Sequence, residues 1–241
     1  MDGKNRGIIG MIKTVLIVIW IIFSVIMYGF ICLIIGPISK KISRYFEILW
    51  ASQLLGAAGI KVKVNGLEKL DHEKRYVFIA NHQSHIDIPV LFTGLRSHLS
   101  FIAKKELFRI PVFGWSMFIL GHIWIDRGNA RKALKSIQNA VNRLKKDNIS
   151  LVLFPEGTRS KDGTLGRFKQ GSFALVQRAG VEVVPVAIRN TSTLLSKHSL
   201  LINSGTAQVT ICDPVTISSE QNKAEISEQM HSILEKALAD K

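Results

Sequence analysis

The sequence predicts an α/β fold, a mostly parallel or mixed sheet flanked by helices, with an N-terminal membrane-anchoring helical segment. Three observations carry that expectation. From about residue 60 onward, short apolar runs rich in β-branched and aromatic residues alternate with stretches of helical periodicity. Polar clusters stand just after several of these runs, where α/β folds place their chemistry. From Thr14 to Ser39 no charged residue occurs, a stretch longer than the roughly 20 apolar residues that cross a bilayer core. The chain divides on this reading into anchoring helices over 1–59 and an α/β domain over 60–241.

The uncharged run is too long for the apolar region of a signal peptide, and no small-x-small cleavage pattern follows it. It reads as a retained anchor. Lys4, Arg6 and Lys13 precede it, and Lys40, Lys41 and Arg44 follow, so the flanking charges set no direction across a membrane. Gly29, Gly36 and Pro37 permit a bend. A single span and a helix pair dipping into one leaflet both fit. A second helix is expected over Ser39–Ala58, where Ile42, Phe46, Leu49, Trp50 and Leu54 recur at helical spacing. Its Tyr45, Trp50 and basic residues suit a headgroup boundary, and equally a helix packed on the domain.

The α/β part follows in order. Ile60-Lys61-Val62-Lys63-Val64 alternates as a half-exposed strand, and Asn65-Gly66 is a turn signal. Tyr76–Ala80 is apolar throughout and reads as a buried strand. A helix over 87–95 carries Pro89 in its first turn. Ser100–Ala103 is a short strand, and an apolar helix spans 111–120. Phe113, Trp115 and Phe118 of that helix are expected in the core, or in the wall of an apolar pocket. Ile123–Asp126 is a strand ending at Arg127. Over 129–147, Ala130, Leu134, Ile137, Val141 and Leu144 form one face of an amphipathic helix. Leu151–Phe154 is a buried strand, Gly171–Ala179 a helix, and Val183–Ile188 a strand. Pro185 within it removes a ladder donor, which places it at an edge or a bulge. A strand over Gly205–Ile211 and an amphipathic helix over Ser219–Leu238 complete the pattern.

Composition narrows the function. The formal net charge is +14, which suits anionic headgroups, a phosphorylated substrate or an acidic carrier protein. Nucleic-acid motifs are lacking, and a basic chain with an anchor needs no nucleic acid to explain its charge. Cys32 and Cys212, the two cysteines, build no disulfide framework and read as packed thiols. Zinc spacings are lacking too, so neither metal nor cofactor is expected. The chain has no Gly-x-Ser-x-Gly, which argues against a serine hydrolase.

The chemistry concentrates in Asn81-His82-Gln83-Ser84-His85-Ile86-Asp87. Neutral imidazole takes a proton near pH 7, and a carboxylate on its other nitrogen fixes the tautomer. The plainer reading of the same residues is a loop whose Asn, Ser and Asp cap the next helix. Downstream stand Gly121-His122-Ile123-Trp124-Ile125-Asp126-Arg127, then Phe154-Pro155-Glu156-Gly157-Thr158-Arg159, then Val184-Pro185-Val186-Ala187-Ile188. These four blocks, in this order, resemble the glycerolipid acyltransferase family, its 1-acylglycerol-3-phosphate acyltransferases in particular. The resemblance covers about Lys61 to Pro214.

The resemblance implies a general-base dyad of His82 and Asp87. It implies acceptor binding by Arg127, Glu156, Gly157 and Arg159, with Thr158 as a further donor to phosphate, and an acyl-donor region around Pro185. Phe168-Lys169-Gln170-Gly171 is similar to a Phe-Lys-x-Gly element that follows the third block in the family, with Gln170 where many members carry a second base. The implied reaction moves a fatty acyl group from acyl-CoA or acyl carrier protein to the sn-2 hydroxyl of 1-acylglycerol 3-phosphate, giving phosphatidic acid. The implied partners are that lysophospholipid, the thioester donor and a membrane. In a bacterium this is the inner membrane, with the site facing the cytoplasm. Acyl transfer of this kind needs a base for the hydroxyl, fixed cations for the phosphate and donors for the oxyanion. Glycerol 3-phosphate or another lysophospholipid is the alternative acceptor. A metal-dependent hydrolase using His82, His85 and Asp87 is the remote alternative.

Overall fold

Two N-terminal helices come first, α1 (Gly3–Ile35) and α2 (Lys40–Ala58), in a computed structural model that describes residues 3–125, 130–147, 149–197, 199, 201–218 and 220–240. They form an antiparallel pair around a turn at Gly36–Ile38, with the Ser39 hydroxyl capping α2 at Ile42 N. One face of α1 packs on α2, through a Tyr28 Oη to Gln53 Oε1 bond of 2.8 Å and a Trp50 Nε1 to Ser24 Oγ bond of 3.2 Å. The other face is bare: Leu16, Ile19, Ile22, Phe23, Phe30 and Ile34 are all exposed. α2 ends at Gly59, its left-handed C-cap at φ 71°. Ile17, Leu54 and Leu55 share one core with Phe78, Leu91, Val184 and Val209, so the helical pair is built into the α/β part.

The strands are β1 (Ile60–Asn65), β2 (Val77–Ala80), β3 (Leu99–Lys104), β4 (Ile123–Ile125), β5 (Ser150–Leu153), β6 (Val183–Arg189) and β7 (Gly205–Ile211). They form one sheet in the order β1-β7-β6-β2-β5-β3-β4. The five strands from β6 to β4 are mutually parallel. β7 runs antiparallel to β6, and β1 runs parallel to β7. The mixed α/β sheet expected from the alternation is therefore present.

β2 and β5 are buried at every residue, the pattern of central strands covered on both faces. Phe78 faces the core under α2 and α3 (Asp87–Leu95), while Val77 and Ile79 face the core under α5 (Ala130–Lys146), α6 (Phe173–Ala179) and α8 (Lys223–Ala239). That is the period-2 alternation of a strand. α8 starts later than the apolar pattern suggests, because Asn222 and Glu225 form a capping box there.

Of the two places expected for Pro185, an edge or a bulge, it takes the bulge: β6 is an interior strand, and Pro185 pairs with Ile79 of β2. Its carbonyl accepts from Cys212 N at 2.9 Å on the β7 side. In an extended strand a residue's N and C=O share a side, so the missing N–H faces β7 as well. There the ladder is irregular, because residues 212–214 face residues 184 and 185 between the pairs Val186↔Ile211 and Val183↔Val215. That extra residue absorbs the lost donor. One expectation is corrected: Trp115 and Phe118 are not core. α4 (Phe113–Leu120) is apolar all round, and these two rings are 54% and 62% exposed beside α1's bare face.

Candidate active site

The first block begins where β2 leaves the sheet. The side chain of Asn81 continues the ladder in place of backbone, donating from Nδ2 to Ile188 O at 2.8 Å and accepting from Ile188 N at 2.7 Å. This ties the end of β2 to β6 and starts the turn at a fixed point. Asp87, the first residue of α3, is wholly buried beneath that turn. Its Oδ2 accepts from Gln83 N at 2.7 Å, Ser84 N at 2.8 Å and His82 Nδ1 at 2.7 Å. A carboxylate carries no proton to share, so Nδ1 holds the hydrogen and Nε2 keeps its lone pair, as a base requires. The capping reading holds only for Ser84: its Oγ accepts from Ile86 N at 3.4 Å at the helix entrance while donating to Leu195 O at 2.6 Å, whereas Asp87 turns back to the His82 turn and Asn81 to β6.

The third block follows β5 and wraps around the first. Phe154 stacks on the His82 ring, centroids 4.2 Å apart and planes at 20°. Glu156, 5% exposed, accepts from His82 N at 2.7 Å through Oε1 and from Gly166 N at 3.0 Å through Oε2. Burial pushes its carboxyl up, while the two amides pull it back. Gly157 takes φ 69°, and a Cβ there would lie 3.0 Å from Lys169 Nζ, so both conformation and space call for glycine. Ser160 N then donates to His82 O at 2.7 Å.

Arg159 lies between these anchors, half-buried, its carbonyl held by Lys197 Nζ at 2.7 Å. Thr158 is exposed, its hydroxyl 3.5 Å from the same ammonium. The partial burial of the His85 ring, then the Arg159 guanidinium, then His82, hold the pKa of His85 below its ordinary value. The Arg159 charge is thus felt at His85, on the same turn as His82.

The structure thus gathers His82, Asp87, Glu156, Gly157, Thr158 and Arg159 at the C-terminal ends of β2 and β5. Pro185 is buried in the sheet below them, and Arg127 lies outside the described residues. The three side chains of the metal alternative do not converge. His82 spends Nδ1 on a hydrogen bond with Asp87, and among the described residues no three His, Cys, Asp or Glu side chains are grouped to hold an ion. Sequence reasoning gave Phe154 and Lys197 no part in the site, and gave Asn81 only a part in capping the next helix, where it instead bonds Ile188. Asn81 and Phe154 sat inside quoted blocks at strand ends, a usable signal. Lys197 stands in no block and had none.

Beside His85 opens an apolar cavity of about 200 Å³ between α1, α2, α3, β3 and α4, with Tyr28, Trp50, Ile88, Phe101, Phe113 and Met117 among its walls. A buried pair, His122 Nε2 and Glu47 Oε1 at 2.7 Å, also borders it.

The chain resembles known proteins in sequence and in fold. A family model described as Acyltransferase matches residues 61–189. The 1-acyl-sn-glycerol-3-phosphate acyltransferase of Salmonella typhimurium is 30% identical over 93% of this chain and 92% of its own. A chloroplastic relative of the same description from Arabidopsis thaliana is 34% identical over 89% of this chain, which spans 60% of the plant protein's length. The crystal structure of the 1-acyl-sn-glycerophosphate (LPA) acyltransferase of Thermotoga maritima superposes with a TM-score of 0.82 at 26% identity, covering 97% of this chain and 96% of that one. Matched by the family model through all four blocks and aligned nearly end to end with the Salmonella relative, the chain belongs to the acyltransferase family.

Proposed function

We propose that the protein transfers a fatty acyl group from an acyl thioester to the sn-2 hydroxyl of 1-acylglycerol 3-phosphate at a membrane surface. The observation that carries the reading is the His82–Asp87 contact at 2.7 Å, which leaves Nε2 as the ring nitrogen available to a hydroxyl. His82 Nε2 takes the proton of the acceptor hydroxyl, and the oxygen attacks the thioester carbonyl. The tetrahedral intermediate collapses, the C–S bond breaks, and the departing thiolate takes the proton back from the imidazolium. The attacking hydroxyl belongs to the acceptor, so the route forms no acyl-enzyme.

Arg159, with Arg127, Thr158 and the Gly157 turn, binds the acceptor phosphate; the guanidinium fork matches phosphate geometry. The cavity beside His85 takes an acyl chain, since its walls are largely apolar and His85, one of them, stands on the same turn as the base. Relatives named for the same reaction support this reading. The donor is acyl-CoA or acyl carrier protein; both are anionic, and the +14 chain attracts either.

The bare face of α1 lies in one leaflet. α1 is tied to the domain by Lys13 Nζ to Ser204 Oγ at 2.8 Å, ten residues into the helix, and by Gly36, in the turn that follows it, against Ile119. A helix held along the domain in this way does not leave it to cross the bilayer. The helix pair is therefore favoured over the single span.

The test is kinetic. Arg159→Ala should raise the KM for 1-acylglycerol 3-phosphate about 10- to 100-fold, the worth of one charge-assisted contact. Wild type should use neutral monoacylglycerol poorly, and the variant should lose little more on it. Efficient wild-type turnover of monoacylglycerol would remove the phosphate assignment.

A further inference from the structure

Glu156 stands in the block that family resemblance assigns to the acceptor, yet its own carboxylate is not free to serve as a phosphate ligand. Both carboxylate oxygens are spent on backbone amides, Oε1 on His82 and Oε2 on Gly166. The side chain is 5% exposed. A carboxylate has no proton to donate to a phosphate oxygen, so any direct contact with the acceptor belongs to its neighbours in the block.

The turn that carries the base shows what Glu156 does. Three consecutive amides all end on carboxylate oxygens: His82 N on Glu156, Gln83 N and Ser84 N on Asp87. The carbonyl of His82 is taken as well, by Ser160 N at 2.7 Å. Both main-chain polar groups of the base are thus held by the segment that follows β5. The ring of His82 is held by the same segment, through the Phe154 stack at 4.2 Å. The second oxygen of Glu156 closes the loop that contains Arg159, by gripping Gly166. That grip is tight: a Cβ on Gly166 would sit 2.7 Å from Oε2.

We infer that Glu156 is a positioning residue for the catalytic base: one carboxylate clamps the His82 backbone to the Arg159 loop and so sets the distance from the base to the bound acceptor. The inference rests on the reading of His82 as the base. It also explains why a glutamate is needed. Two N–H donors converge from opposite sides, so both oxygens must accept. Glutamine offers one acceptor and turns an NH₂ toward the other donor. Aspartate is one methylene too short to reach both.

The experiment compares Glu156→Gln, Gly166→Ala, Arg159→Ala and His82→Ala in steady-state assays, with thermal unfolding to confirm the fold. A base displaced by about 1 Å loses on the order of 100-fold in rate. Glu156→Gln should therefore lower kcat by roughly 10- to 100-fold and leave the acceptor KM within about threefold. The same factor should be lost on monoacylglycerol, because no phosphate contact is involved. Gly166→Ala should show the same pattern while leaving the carboxylate chemically intact, so it answers the question if Glu156→Gln folds poorly. A raised acceptor KM with kcat retained, or a loss confined to the phosphorylated acceptor, would overturn the inference and return Glu156 to the phosphate site. Retained activity in His82→Ala would remove the base reading itself, a result distinguishable from either outcome at Glu156.

Discussion

His82 is useful as a base only if its proton sits on Nδ1, and Asp87 enforces that from beneath. All three donors meet the same oxygen, Oδ2, and Oδ1 is buried with no hydrogen-bond partner among the described residues. Asp87→Asn therefore has an unusual consequence. An asparagine there can turn its oxygen toward the three donors and leave its NH₂ where Oδ1 was, so fold and tautomer survive. What disappears is the negative charge that steadies the imidazolium as it forms. We predict a kcat loss of roughly 10²–10³, within the range of general-base catalysis and milder than the ~10⁴ seen where such a change flips the tautomer. A kcat near wild type would sink the dyad. The pair itself was legible in sequence, because His and Asp five residues apart bracket a single turn after an obvious strand. The hold of Glu156 on His82 N spans 74 residues, and a bond between a side chain and a distant amide leaves no pattern in composition or spacing.

Helix α1 is seated on its neighbours through small residues. A Cβ on Gly29 would come 2.6 Å from Val112 Cγ1, and one on Gly36 would come 2.2 Å from Ile119 Cγ2. Gly29→Val should cost about 1–3 kcal/mol by overpacking, read as a lower midpoint of thermal unfolding in detergent. Gly56→Ala on α2 meets nothing within 4 Å and should be neutral or stabilising by up to ~1 kcal/mol. Equal midpoints in the two variants would mean that α1 does not sit where described. Strand and helix identities were readable because the buried strands are short apolar runs and α5 carries a strict helical repeat. The fate of α4 was not. A helix that is apolar on every side fits a core or a boundary equally, and only the placement of α1 decides it. Pro185 was legible only as a pair of alternatives. Proline forbids a donor, which an edge or a bulge can absorb, and here an extra residue on the partner strand absorbs it.

The molecule as a whole carries two kinds of attraction for a lipid surface. The α1 and α4 faces offer Ile19, Phe23, Trp115 and Phe118 to solvent, and the chain adds a net charge of +14. These respond differently to salt, since the screening length falls from about 10 Å at 0.1 M to about 3 Å at 1 M. Binding to neutral phosphatidylcholine vesicles should persist in 1 M salt, while the gain from anionic lipid should fade. Phe23→Glu should weaken binding to neutral vesicles at any salt without lowering the unfolding midpoint. Unchanged partitioning of that variant would show that the bare face of α1 is not what meets the bilayer. The mixed sheet was legible as a class from the alternation of elements. Its strand order was not, because pairing between β7 and β6 or β1 and β7 depends on where the chain returns, which local pattern does not encode.

The anchoring of Lys13 to Ser204 joins residues 191 positions apart, and Thr14 meets Ile202 over a similar distance. A ribosome adding about 5–20 residues per second needs roughly 10–40 s to supply the second partner. Throughout that interval α1 has α2 to pack on, but the C-terminal part of its seat, Ile202 and Ser204, has not been made. Its bare face meanwhile stays open to a chaperone, a bilayer or another chain. Slow translation of the last third of the chain should therefore lower the yield of folded protein more when membranes are absent than when they are present.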